Sequence, residues 1–477
     1  MPVVCHRVPT AVGDAVEGPR ATPAVTGPRA LALLILLLVA ALVPGHARIR
    51  ASAPALADPR FGAVEAFRAP RQAAALHLGW ERMIFWWKEM QPDGPGSWNP
   101  FATDHDRQIT ASLAAGRSIA GLLINTPAWA AAQPLSRGHS VPRGLYLPYD
   151  NPHNYWGHFV GQIARRYAGR IDDWIIWNEV AIPRGRAWHT WDGTVDDYAQ
   201  LVKVAYLAAT EANPRARIVL AGDPYFYDYG AMFSGLLRRF AADPEARSHH
   251  NYFNVVDLHL YGRPLEIATV VPWYQRALAS AGLRKPIWIG ETNAPPYDPA
   301  VTHRSRQVRQ SSLYQQSSFI AQAFAIALAE GIERIEFNSM IDGTEFVPGS
   351  DPLGLVRNDG TERPAFAAYL AVTTLFAGVT SATYLPDPST GVYRVILRKP
   401  GTTLTVLWDQ RPEPTVAHLA ASEGAVLLYD KYGHARTLAP SNGHLDLPLE
   451  GASATTNPRN TRDYVIGGSP LIVSQPA

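Results

Sequence analysis

Short apolar runs alternate with longer amphipathic stretches from residue 61 onward, and this alternation is the most regular feature of the chain. The runs at 61–67, 80–87, 118–125, 174–177, 217–221, 255–260, 286–290 and 332–338 are too short for helices and rich in aliphatic and aromatic residues, which predicts interior strands. Between and after them, 71–78, 104–115, 158–167, 195–212, 232–240, 271–281, 310–329 and 364–376 carry helical periodicity, and Asn213-Pro214 closes the longest early helix. Strand-then-helix units repeated eight times over residues 58–378 predict a (β/α)8 TIM barrel. A doubly wound open sheet is the alternative, but the Gly-rich phosphate turn that would favour it is missing after the first strand. Beyond residue 378 helical periodicity stops. Runs at 393–398, 403–408, 425–429, 444–449 and 471–474 predict a small antiparallel β-sandwich over 379–477.

The first 57 residues read differently. Residues 31–43 are continuously apolar and follow Arg7, Arg20 and Arg29, a run short for a membrane span and suited to the core of an export signal. Ala55-Leu56-Ala57 offers a cleavage site before Asp58, and His46-Ala47 is a weaker one. The expectation is a secreted or extracytoplasmic protein. The rival is an uncleaved N-terminal anchor, the one way a membrane enters the picture. Cys5, the sole cysteine, precedes the apolar run, so a processed chain has no disulfide and no cysteine-based nucleophile or metal site.

Charge excludes one class of partner. With 43 basic and 41 acidic residues, no field of one sign is available to steer nucleic acid. Hydrophobic residues at 47% place the chain among globular proteins rather than disordered ones. The 13 tryptophans and 20 tyrosines fit either a large core or stacking on the apolar faces of sugar rings.

Two predicted strands run into a glutamate: Asp173-Trp174-Ile175-Ile176-Trp177-Asn178-Glu179 and Lys285-Pro286-Ile287-Trp288-Ile289-Gly290-Glu291. The C-terminal tip of a buried parallel strand is where barrel folds place catalytic groups. Two carboxylates from separate strands are what glycosidic bond cleavage uses, one as acid/base and one as nucleophile or second base. Asp223 and Asp342 also lie near strand ends; Asp257 and Glu336 sit inside strands and read as structural. His249-His250 has no partners at metal-ligand spacing and reads as a solvated turn.

This arrangement resembles glycoside hydrolase clan A. Asn178-Glu179 is similar to the Asn-Glu pair of the clan's fourth strand, Glu291 to its strand-seven nucleophile and Arg82 to its strand-two arginine. His259 and Tyr261 match the strand-six His/Tyr position, and the segment 351–366 resembles the region after strand eight in family 39-like and family 5-like members. The resemblance implies a retaining enzyme acting on a β-linked or configurationally equivalent oligo- or polysaccharide, with no cofactor and no metal. In it Glu179 is the acid/base and Glu291 the nucleophile, its charged form favoured by Arg82. Asn178 would bind the sugar 2-hydroxyl and Tyr261 would orient Glu291. His259 is either a substrate contact or a support for one, and Trp129 either a sugar platform or a loop-packing ring. Two departures stand out. Glu179 is followed by Val180 rather than proline, and the strand-eight aromatic, often Trp, is assigned to Phe337. A transglycosylase, or an endoglycosidase trimming an exported polysaccharide, shares this chemistry. A non-catalytic carbohydrate-binding barrel is the alternative of another class, disfavoured by the intact glutamates and Asn178.

Overall fold

The computed structural model describes residues 57–99, 105–301, 310–343, 352–421, 424–457 and 460–477. The expected export signal, apart from Ala57, lies outside them. Eight parallel strands form one sheet: β1 (Asp58–Ala63), β2 (Leu78–Trp86), β3 (Ser118–Ile124), β4 (Asp173–Ile176), β5 (Arg217–Leu220), β6 (Val256–Tyr261), β7 (Ile287–Asn293) and β8 (Arg334–Phe337). Their order is β5-β4-β3-β2-β1-β8-β7-β6. The two end strands meet through Leu220 N–H to Val255 O (3.0 Å) and His259 N–H to Asp223 O (3.1 Å), so the sheet closes into the expected barrel.

The outer helices are α1 (Pro70–Ala75), α2 (His105–Ala114), α3 (Tyr155–Arg166), α4 (Val195–Ala212), α5 (Ala231–Ala242), α6 (Ile267–Ser280), α7 (Leu313–Ala329) and α8 (Pro364–Leu375). Local sequence sets several of their starts. Thr194 with Asp197, and Ser312 with Gln315, form reciprocal capping boxes at α4 and α7, and Asn154 caps α3. Among the described residues no helix is long and apolar enough to cross a membrane.

Strand alternation sorts the barrel interior into layers. Trp80 and Trp288 meet across the bottom at 5.4 Å, with the Arg334 guanidinium 4.6 Å from the Trp288 ring. Two residues further along β2, β8 and β6, Arg82, Glu336 and Asp257 make a buried polar layer. The next inward positions, His259 on β6 and Asn338 just past β8, reach the top.

Beyond the barrel lies a six-stranded antiparallel sheet, order β14-β13-β16-β11-β10-β9, with a two-stranded ribbon of β12 and β15. These are β9 (Ser381–Leu385), β10 (Val392–Lys399), β11 (Thr402–Asp409), β12 (Thr415–Ala420), β13 (Val426–Tyr429), β14 (Ala435–Leu438), β15 (His444–Leu449) and β16 (Leu471–Pro476). Val395, Leu397, Leu404, Val406 and Trp408 join the apolar core of the barrel, against a thoroughly buried α7. Leu407, Val426, Leu428 and Val473 make a second core with Leu445, Leu447 and Leu449 of the ribbon. Three strands escape the sequence pattern. β9 and β14 are edge strands and β12 belongs to the ribbon, and all three are mostly solvent-facing, so no apolar alternation marks them.

Candidate active site

The two glutamates reach the top of the barrel by different backbone devices. After β4 the chain turns sharply: Trp177 (φ 72°) and Glu179 (φ 46°) both occupy the left-handed region, which costs a non-glycine residue roughly 1–2 kcal/mol. The turn is held by its surroundings. Trp177 donates Nε1–H to Thr190 O (2.9 Å) and packs its ring on Trp191 at 4.9 Å. Ile182 N–H closes on Glu179 O (3.1 Å).

In β7 the device is a bulge. The register shifts by one residue against both neighbours, between Ile289 and Thr292, placing His259 opposite Glu291. Trp288 faces inward, so strict alternation would turn Glu291 outward. The extra residue turns it in. Gly290 makes this possible: a Cβ there would lie 2.4 Å from Asp257 Oδ2, while its N–H donates to Asp257 Oδ1 at 2.7 Å. Gly222 plays a similar part across β6, since a Cβ would fall 1.9 Å from His259 Nε2.

Glu291 is surrounded by donors. Arg82 Nη2 bonds Oε1, and Tyr261 O–H bonds Oε2. Asn338 Nδ2 donates to the same Oε2 at 2.9 Å and lies 2.5 Å from the Tyr261 hydroxyl. Burial works against the Glu291 charge, but His259, Arg82 and these hydrogen bonds outweigh it and hold the carboxyl down at about 2. His259 is fully buried. Its Nδ1 stands 2.8 Å from Glu179 Oε1 and 3.5 Å from Glu291 Oε2. Burial disfavours the imidazolium, yet the carboxylates of Glu291, Glu179 and Asp257 raise the pKa above its ordinary value. One donor oxygen each of Glu179 and Glu291 and a nitrogen of His259 all lie within 4.8 Å of one another. Three such atoms could hold a cation, but Arg82, Tyr261 and Asn338 already occupy three of the about four lone-pair sites of Glu291, so the cluster is organised around hydrogen bonds.

Beneath this layer Arg82 Nε faces Glu336 Oε1 at 3.6 Å, and both oxygens of Glu336 lack a hydrogen-bond partner. Desolvation raises the pKa of Glu336 well above the carboxylate range despite Arg82. Asp257 braces Gly290 and approaches His259 Nε2 to 3.8 Å. Asp223, pushed by burial to about 7, bonds Tyr274 O–H at 2.5 Å. Asp342 pairs with Arg363 at 2.8 Å.

The structure therefore brings Arg82, Glu179, His259, Tyr261 and Glu291 together. Asn178 sits beside them on the same turn, its Oδ1 enclosed and without a partner. One expected site residue lies elsewhere. Phe337 is fully buried and faces outward, its ring 6.0 Å from Tyr369 of α8. Glu336 points in, so its strand neighbour must point out. Asn338, one residue further, takes the inward position that the sequence reading gave to Phe337. Trp129 packs against Tyr155 at 5.1 Å and Trp87 at 6.1 Å and donates Nε1–H to Gln91 O (2.6 Å), so its contacts are those of a loop-packing ring. Asn338 and Gly290 are the residues missed. The parity of β8, counted from Glu336, was the available signal for the first.

No protein-family model matches the chain, and no curated protein matches it. Solved structures do. A family 39 glycoside hydrolase from Bacteroides cellulosilyticus aligns at 16% identity and TM-score 0.66, covering 89% of this chain and 82% of its own. A family 30 endoxylanase from Clostridium papyrosolvens aligns at 14% identity and TM-score 0.56 over 89% of this chain and 98% of its own. A monomeric β-xylosidase from Caulobacter crescentus gives 13% identity and TM-score 0.56, over 89% and 97%. At these identities the likeness is one of fold, and it extends through both the barrel and the β module.

Proposed function

We propose that this chain is a retaining O-glycoside hydrolase of the clan A type, with Glu291 as nucleophile and Glu179 as acid/base. The observation that carries the reading is the pair itself. Oxygens of Glu179 and Glu291 approach within 4.8 Å, and Glu291 is held ionised at about 2. Retaining enzymes place their carboxyl groups about 5–5.5 Å apart, whereas inverting ones leave roughly 6.5–9.5 Å for a water. The likeness to solved xylosidase, xylanase and glucosidase folds supports the same class.

The mechanism follows from the contacts. Glu291 attacks the anomeric carbon while Glu179 protonates the leaving oxygen, and the glycosyl-Glu291 ester is then hydrolysed by water that Glu179 deprotonates. Arg82, Tyr261 and Asn338 fix the Glu291 oxygens, so attack needs little reorganisation. Asn178, half-buried on the same turn, would donate its amide Nδ2–H to the sugar 2-hydroxyl. The substrate is a β-linked or configurationally equivalent glycoside, met outside the cytoplasm after export through residues 1–57. Screening aryl glycosides with the wild type and Glu291→Ala tests the reading: turnover of at least one substrate, abolished in the variant, is expected. Carbohydrate binding without turnover would instead make this a non-catalytic sugar-binding barrel.

A further inference from the structure

A second group of donors lies on the loops after β3 and β4, and the catalytic reading makes no use of it. His139, His189 and Asp192 each offer a ligand atom, and the three atoms lie within 4.8 Å of one another. The two loops are tied together here, because Asp192 N–H donates to His139 O at 2.9 Å. The His139 and His189 rings meet edge to face at 5.6 Å. The side chains of His189 and Asp192 are only 11% and 8% exposed, so they are held in place rather than waving in solvent.

The hydrogen bonds of His189 point to a ligand. Its Nδ1 stands 2.8 Å from Ile182 O. A carbonyl only accepts, so Nδ1 carries the hydrogen and Nε2 is turned towards Asp192 Oδ1, 3.0 Å away. A ring fixed through one nitrogen by a carbonyl, with the other facing a carboxylate and a second imidazole, is the orientation metal-binding histidines adopt. We propose that His139, His189 and Asp192 bind a divalent transition-metal ion of the zinc type. Two imidazole nitrogens and one carboxylate oxygen are ligands, and water occupies the remaining position. Arg184 presently neutralises Asp192, with Nη2 2.6 Å from Oδ1, but its side chain is 68% exposed and free to swing away when a cation arrives. Lys88 and Arg137 add positive charge near His139 and limit the affinity.

The ion would clasp the two loops that flank the acid/base. Ile182, which receives the His189 bond, closes the Glu179 turn, and Thr190 Oγ1 bonds Asn178 O. The metal is thus a brace for that turn and takes no part in the reaction.

The test uses the full-length chain and Co2+ alone as probe. One equivalent should give visible d–d absorption of a four- or five-coordinate site, displaced by Zn2+. His139→Gln and His189→Gln, on different loops, should each weaken binding at least about tenfold, judged against what even supporting residues of metal sites contribute. Circular dichroism without metal selects the variants that fold, and Asp192→Asn replaces one that does not. Arg184→Ala removes a competing cation and should tighten binding several-fold. Absence of stoichiometric binding, unchanged binding in the folded ligand variants, or weaker binding in Arg184→Ala overturns the proposal. So does a signal that survives these variants and disappears in His259→Gln. None of these outcomes bears on glycoside hydrolysis by Glu179 and Glu291.

Discussion

His259 and Glu179 share a hydrogen bond, Nδ1 to Oε1 at 2.8 Å, from β6 and from the turn after β4, on opposite sides of the point where the barrel closes. The same nitrogen lies 3.5 Å from Glu291. One imidazole therefore faces both carboxylates, and its charge is the largest favourable influence on Glu291.

Removing that imidazole should expose its electrostatic role. In His259→Asn the Glu291 pKa is expected to rise from about 2 towards its ordinary 4.5. The acid limb of the kcat/KM profile then moves to higher pH, because the nucleophile must be ionised. An acid limb left in place with only the maximum lowered would mean His259 acts by packing alone.

Stability should follow the same linkage. The folded-state pKa of Glu291 is depressed, so its ionisation contributes stability that is fully present above about 4.5 and is lost as pH falls through about 2. His259 has the opposite sign: its raised pKa contributes stability below 6.5 that disappears as pH rises beyond that value. Urea titrations should show the gap between wild type and Glu291→Gln closing on the acid side. A gap independent of pH contradicts the assignment.

Arg82 is buried between Glu291 and Glu336. Arg82→Met leaves the ionised Glu291 carboxylate without its hydrogen-bonded counter-charge, and breaking such a pair costs about 3–5 kcal/mol. Chemical denaturation measures this directly. A loss below about 1 kcal/mol, typical of exposed pairs, would show that the arginine is not the neutralising group.

Two neighbouring residues at the end of β8 should separate cleanly. Phe337→Ala opens a cavity between strand and helix and should cost about 3–5 kcal/mol of stability, leaving KM of the folded fraction unchanged. Asn338→Ala removes a hydrogen bond to a charged carboxylate, worth about 1.5–3 kcal/mol, and should lower kcat/KM roughly ten- to hundredfold, a loss that Phe337→Ala does not share. The reverse pattern would restore Phe337 to the site.

These residues also show how far the sequence could be read. Glu179, Glu291, Arg82, His259 and Tyr261 are legible because each sits on or just past an apolar strand whose alternation or terminus is visible in one dimension. Phe337 has the aromatic character expected of the site, but the parity from Glu336 decides which side chain faces inward, and it selects Asn338. The β7 bulge has no apolar signature, so its dependence on Gly290 and Asp257 emerges only in three dimensions. β9, β12 and β14 went unseen for a related reason: their side chains are largely solvated, and a strand that buries little leaves little pattern.

The most direct test of the account is the response of the two glutamate variants to azide and leaving group. Glu291→Ala should lose hydrolysis of every glycoside, and azide entering the vacated space should give a glycosyl azide of inverted configuration. Glu179→Ala should keep its first step on aryl glycosides with good leaving groups and slow in deglycosylation, a general acid/base loss of about 10² to 10⁴. Azide should relieve that second step with net retention. Identical behaviour of the two variants across leaving groups, or retention in Glu291→Ala with inversion in Glu179→Ala, would contradict the assignment of Glu291 as nucleophile and Glu179 as acid/base.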